Sequence, residues 1–265
     1  MEHTDITPLY QIQPCFTERE KWEAAALQEG LFYEVLELSS LPVLGDNRLT
    51  QMRGEWYRSG GRTRSLHGAF IDVNPASGDA QFRTLSRRRC MESCRLAREL
   101  GAENVVFHSS CSSFLRVAYM ESWAQACAEY YGELAQETGL HIWIENSQDV
   151  DAVPLRELMK RIDTPQVGVC LDLGHAHYSH MEQKEWFDCL GEWIGYLHLS
   201  DNNGLWDEHL PLGEGSVDWG EADSLWRAAG KKMLITIEVG SVKDLQRSIA
   251  FLKAHRLFGM GRTGT

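Results

Sequence analysis

Eight short apolar runs recur along the chain, and most are followed by a helix-period segment of about 10 to 20 residues. This alternation limits the fold more than any other feature. Strands separated by helices cannot pair as hairpins, so they pair in parallel through helical crossovers. Runs such as VGVCLDL at 167–173 and MLITIEV at 233–239 are apolar without alternation, as parallel strands covered on both faces require. Eight such units close into a barrel, which commonly takes about 250 residues, and the chain has 265. The expectation is an α/β protein: a single-domain (β/α)8 TIM barrel over residues 1–258, with GMGRTGT at 259–265 as a disordered tail.

Local signals set the elements. A first strand is expected at Leu9 to Gln13, then a helix from Thr17 to Glu29 with Thr17 as N-cap, Glu20 in the capping-box position and Gly30 as the stop. Strands follow at Tyr33 to Ser40 and Thr63 to Leu66. Between them, Leu41 to Arg62 reads as irregular, with five arginines (Arg48, Arg53, Arg58, Arg62, Arg64) in or just beyond it. That segment is either a short helix with an active-site loop or a solvated connector. Helices are expected at Ala80 to Leu100, Phe114 to Thr138, Val153 to Arg161, Met181 to Leu190 and Val242 to His255.

The strand ends carry the chemistry. In a barrel of this kind all eight carboxyl ends meet on one face, so residues distant in sequence become neighbours there. His67, His108, Glu145, Asp172, His198 and Glu238 fall at strand ends, and His175, Asp207 and His209 fall in the loops just beyond. Taken singly, such a histidine is ordinarily a hydrogen-bonded structural residue, and a lone glutamate can pair with an arginine. Three carboxylates beside runs such as IWI and LITI are harder to explain that way, because each is costly to bury and each repels the others. A divalent cation resolves both problems. Imidazoles beside the acids fit zinc, manganese, cobalt or iron, with one to three ions per chain. Asp207 and His209, two apart on extended chain, point the same way and can share an ion.

The formal charge of -12 disfavours a nucleic-acid or acidic-membrane partner, although bound metals would offset it. Seven cysteines without a CxxC pair, and no charged-then-apolar leader at Met1, fit free thiols in a reducing cytoplasm. No apolar run approaches the ~20 residues of a membrane span. Cys90 and Cys94 share a helix face and read as an inert pair, and Trp143, Trp193 and Trp226 as packing residues. Trp206, in the loop before His209, either lines a substrate pocket or packs. The turn at Gly213 and Gly215 either approaches a phosphate with its amides or serves the loop alone. A homo-oligomer is compatible with all of this.

The motifs IEN at 144–146, LDLGHA at 171–176, HLSDN at 198–202, DEHLPLGEGSVDW at 207–219 and IEV at 237–239 resemble the xylose isomerase-like barrel superfamily. That group contains sugar and sugar-phosphate isomerases and epimerases, and also endonuclease IV. In the isomerase branch the resemblance implies one metal on Glu145, Asp172, His198 and Glu238, with Glu145 and Glu238 as acid and base and His175 on a substrate hydroxyl. Turnover would pass through an enediolate of a small carbohydrate-like substrate. Some epimerases place an arginine where this chain has Gly204 and Leu205. In the endonuclease IV branch the resemblance implies three zinc ions: His67 and His108 with bridging Glu145; Asp172, His198 and Glu238 with the same glutamate; and His175, Asp207 and His209. That alternative is hydrolysis of abasic DNA or another phosphoester. The chain has GHA where that family has CHA.

Overall fold

The computed structural model describes residues 8–39, 47–111, 118–179 and 181–261. Its strands are β1 (Leu9–Ile12), β2 (Phe32–Val35), β3 (Thr63–His67), β4 (Asn104–His108), β5 (His141–Glu145), β6 (Val167–Asp172), β7 (Ile194–Leu199) and β8 (Leu234–Ile237). Each pairs in parallel with the next, and β8 returns to β1, so the sheet closes in the order of the sequence. The eight apolar runs thus form the expected TIM barrel, as a single domain.

Helices cover the outside: α1 (Arg19–Glu29), α2 (Asn47–Ser59), α3 (Ala80–Leu100), α4 (Ala118–Thr138), α5 (Val153–Met159), α6 (Leu173–Tyr178), α7 (Gln183–Leu190), α8 (Trp219–Ala229) and α9 (Val242–His255). Trp22, Trp123, Trp186 and Trp226 are buried where these helices meet the barrel. Trp143 and Trp193 are only partly buried. Gly30 and Gly101 end α1 and α3 in left-handed backbone, as their positions in the sequence imply. The Cys90 and Cys94 thiols are buried, and burial pushes Cys90 up to about 12, so the pair is inert.

Several local expectations change. Thr17 does not cap α1; it lies in a 3-10 turn, Phe16–Glu18, that leads into the helix without a side-chain cap. The arginine-bearing segment is mostly helix: α2 is tied to Glu37, just beyond β2, by Arg53 (3.5 Å) and the Tyr57 hydroxyl (2.8 Å). Residues 41–46 of that segment, and 114–117 of the helix expected to start at Phe114, lie outside the described residues. Helices α6 and α8 are additions to the sequence reading. At the C-terminus, a turn at Leu257–Gly259 packs Phe258 on Trp226, with ring centroids 5.6 Å apart, while 262–265 lie outside the described residues. Among the described residues no helix is long and apolar enough to cross a membrane.

Candidate metal centre

The carboxyl ends of β3 to β8 bring six strand-end residues to one place. Glu145, at the end of β5, is 1% exposed and reaches in two directions. Its Oε2 lies 3.3 Å from His67 Nε2 and 3.6 Å from His108 Nε2. Its Oε1 lies 3.2 Å from His175 Nδ1 and 3.6 Å from His198 Nδ1. The same His198 nitrogen is 2.8 Å from Glu238 Oε1 and 4.0 Å from Asp172 Oδ2. Among the described residues, His67, His108 and Glu145 form one group whose donor atoms all lie within 4.8 Å, and Glu145, Asp172 and His198 form another. Glu145 belongs to both.

Local folding aims these groups. Asn146 clamps the end of β6, accepting from the Asp172 amide (2.7 Å) and donating to the Asp172 carbonyl (3.0 Å). Asp172 then caps α6 by accepting from the His175 amide (2.6 Å), which sets His175 one turn above it. The histidine rings follow one pattern. His67 places Nδ1 3.1 Å from the Gly68 carbonyl, His175 places Nδ1 2.7 Å from the Asn146 carbonyl, and His209 places Nδ1 3.4 Å from the Glu238 carbonyl. A carbonyl can only accept, so Nδ1 carries the proton in the neutral ring and Nε2 turns a lone pair toward a carboxylate, Glu145 for His67 and Asp207 for His175 and His209. His198 is reversed: Nε2 faces Glu34 Oε2 at 3.1 Å, and Nδ1 faces the acids.

Lone pairs therefore face carboxylate oxygens, an arrangement that repels unless something positive lies between. Glu145 Oε2, Asp172 Oδ2 and His198 Nδ1 are buried and without a hydrogen bond. Such atoms cost about 1 to 3 kcal/mol each, more when charged. They are the donor types that a divalent transition metal takes, so the residues present fit one. Protons fill part of the same need. Burial lowers the His67, His175 and His198 pKa values, but neighbouring acidic groups outweigh it and all three rise above the ordinary histidine range. His108 goes the other way, pushed down to about 3 by burial. Asp172 is raised to about 7, chiefly by burial. A cation would displace protons from such a set.

The remaining expected residues lie at the edge. Asp207 Oδ2 is 3.2 Å from His175 Nε2 and 2.8 Å from His209 Nε2, so one oxygen ties both rings together. Asp207 and His209 belong to neither compact donor group. His209 has a φ of 49°, a strained value for a residue with a side chain. Trp206 is 61% exposed at the loop tip. Beside His108 a cavity of about 480 Å³ opens, lined by Phe70, Asn74, Ser109, Ser110 and Gln148.

Gly213 donates its amide to Asp201 Oδ2 (2.8 Å), which accounts for that turn without a phosphate. A Cβ on Gly215 would come within 2.3 Å of Asp201 Oδ1, so the glycine is needed for this close wrap. The sequence reading missed Glu34, Gln13 and the clamping role of Asn146. Glu34 is wholly buried and accepts from Gln13, Tyr196, Thr236 and His198. A charged residue inside the apolar run FYEV was the available signal.

With the geometry in place, comparison with known proteins identifies the relatives. The family model for the xylose isomerase-like TIM barrel matches residues 31–255. The chain belongs to that family. It is 30% identical over 201 residues to the uncharacterized protein MJ1311 of Methanocaldococcus jannaschii, covering 72% of this chain and 69% of the relative. Among solved structures it is similar to the TTHB071 protein of Thermus thermophilus soaked with ZnCl2 (TM-score 0.76, 24% identity, 97% of this chain and 100% of that one). It is also similar to a D-tagatose 3-epimerase-like protein (TM-score 0.73, 23% identity, 94% and 97%).

Proposed function

We propose that this family member is a metal-dependent isomerase or epimerase of a sugar, sugar phosphate or polyol derivative. The observation that carries the reading is the convergence of Glu145, Asp172 and His198, whose ligand atoms lie within 4.8 Å of one another, with Asp172 Oδ2 and His198 Nδ1 buried and lacking hydrogen bonds. Glu145, Asp172, His198 and Glu238 would hold the ion, which when bound supplies Lewis acidity toward the vicinal oxygens of an α-hydroxy carbonyl compound. Glu145 and Glu238 approach the same His198 nitrogen and are suited to remove and return a proton at one carbon or its neighbour. Gln13 donates to Glu238 Oε1 and fixes that carboxylate. His175, held by the Asn146 carbonyl, orients a substrate hydroxyl. Ser109, Asn74 and Gln148 in the adjoining cavity offer neutral donors and acceptors of the kind a polyol takes.

The test is solvent exchange. Zinc-, manganese- or cobalt-loaded protein in deuterated water should introduce deuterium beside the carbonyl of at least one ketose or ketose phosphate, and Glu238→Gln should stop it. Silence across a broad ketose panel contradicts the reading. A second reading, phosphoester hydrolysis at a multinuclear centre, is favoured by one observation: Glu145 bridges to a second donor group with His67 and His108. Nicking of an abasic-site oligonucleotide, abolished by His67→Ala, would support it in place of the first.

A further inference from the structure

His198 differs from its neighbours in what it leans on. His67, His175 and His209 each place one ring nitrogen on a backbone carbonyl, but His198 places Nε2 on a carboxylate, Glu34, at 3.1 Å. That carboxylate comes from β2, across the barrel from β7. It is locked from every side: Gln13 Nε2 donates to Oε1 at 2.9 Å, and Thr236 Oγ1 (3.0 Å) and the Tyr196 hydroxyl meet Oε2. Gln11 in turn donates to the Tyr196 hydroxyl at 2.6 Å, so β1, β2, β7 and β8 all contribute.

Glu34, His198 and Glu238 also lie close enough to hold an ion of their own. The hydrogen bonds argue against that use. Both Glu34 oxygens already accept, whereas His198 Nδ1 makes no hydrogen bond and faces Glu145, Asp172 and Glu238. Glu34 therefore belongs behind the ring and the cation in front of it.

We infer that Glu34 is a positioning residue: its carboxylate keeps the proton on His198 Nε2, turns Nδ1 toward the metal, and makes that nitrogen a stronger donor than a carbonyl-supported ring would be. The inference rests on the metal centre proposed above. A carboxylate behind a ligating imidazole fixes the tautomer and raises ligand basicity, and its loss typically costs about 10- to 100-fold in metal affinity.

The first measurement uses the wild-type protein, labelled with 15N-histidine and loaded with zinc. Long-range 1H–15N correlation should show His198 bound to zinc through Nδ1, with a far-downfield proton on Nε2. Zinc on Nε2 overturns the assignment. Wild-type protein that takes up no zinc overturns the metal centre and this role with it. The second measurement is zinc affinity by chelator competition in Glu34→Gln and Glu34→Asp, after thermal melts of the metal-free proteins establish folding. Gln removes the charge, and Asp keeps it but withdraws it by one methylene. Both should bind zinc about 10- to 100-fold more weakly, with the Nε2 proton shifted upfield. Affinity within twofold of wild type in a folded variant overturns the role, while intact wild-type binding leaves the metal centre standing.

Discussion

Two buried acids in this barrel meet opposite fates. Asp201, just beyond β7, is fully buried and satisfied by four donors: the amides of Asn202 (3.0 Å), Gly213 (2.8 Å) and Val217 (3.2 Å) and the Trp219 indole (2.8 Å). Asp172, at the end of β6, is equally buried, yet its Oδ2 has no hydrogen bond. Asp201 has its compensation within the chain and organises a loop. Asp172 has one oxygen occupied in capping α6 and the other 4.0 Å from His198 Nδ1, with the charges of Glu145 and Glu238 nearby. Burial alone thus does not mark a functional acid; the number of protein donors reaching it does.

The contrast can be broken most severely at Asp172. Asp172→Asn should weaken zinc binding on the order of a thousandfold and abolish turnover, because a ligating charge is lost. The metal-free variant should melt no lower than the metal-free wild type, since the replaced carboxylate was unfavourable there. Asp201→Asn should do the reverse. It turns an NH2 group toward two donors and should destabilise the protein by about 3 kcal/mol in denaturant titration, while metal stoichiometry stays that of wild type.

Asp149 sharpens the comparison between these extremes. Its Oδ2 accepts from the Ser109 hydroxyl (2.6 Å) and the Ser147 amide (3.1 Å), but Oδ1 is buried without a partner. Burial raises its pKa from 3.8 to about 6 against the lowering effect of those bonds. The folded state thus prefers the protonated acid. Its penalty is full above the folded pKa, about 3 kcal/mol at most, and shrinks as the pH falls from 6 toward the unfolded value near 4. Asp149→Asn should therefore stabilise the chain by about 1 to 3 kcal/mol at pH 8, with roughly half that gain left at pH 5. A gain that grows on acidification would contradict this sign.

The smallest effect is expected at Trp206. With 61% of its surface exposed, Trp206→Ala should change stability by less than about 0.5 kcal/mol. If the ring touches substrate, KM rises in that variant with kcat held; if neither moves, the ring has no part in binding.

Much of this was legible in the sequence, for identifiable reasons. Parallel strands covered on both faces must be largely apolar, so VGVCLDL and LITI declared themselves, and a barrel sends the acids at their ends, Asp172 and Glu238, to one rim. Helix α2 was legible only as one of two alternatives, because six charged or amide side chains and Gly54 obscure its apolar face. Glu34 was hidden by topology. It pairs in register with Ser65, but its functional partners His198, Tyr196 and Thr236 stand on strands that do not neighbour β2. No spacing along the chain brings those strands together; only closure of the barrel does. The glycines at 213 and 215 were legible as a tight turn, but their purpose required knowing that Asp201 lies inside it.

The central claim is that the donor-poor acids and imidazoles at the rim exist to hold a metal. Elemental analysis of protein purified without chelator, then reconstituted with zinc, manganese, cobalt or iron and freed of excess, tests this most directly. The account predicts at least one tightly held ion per chain, lost in Asp172→Asn and retained in Asp201→Asn. A folded wild-type chain that stays empty with every one of these metals, and whose melting temperature ignores them, would contradict it.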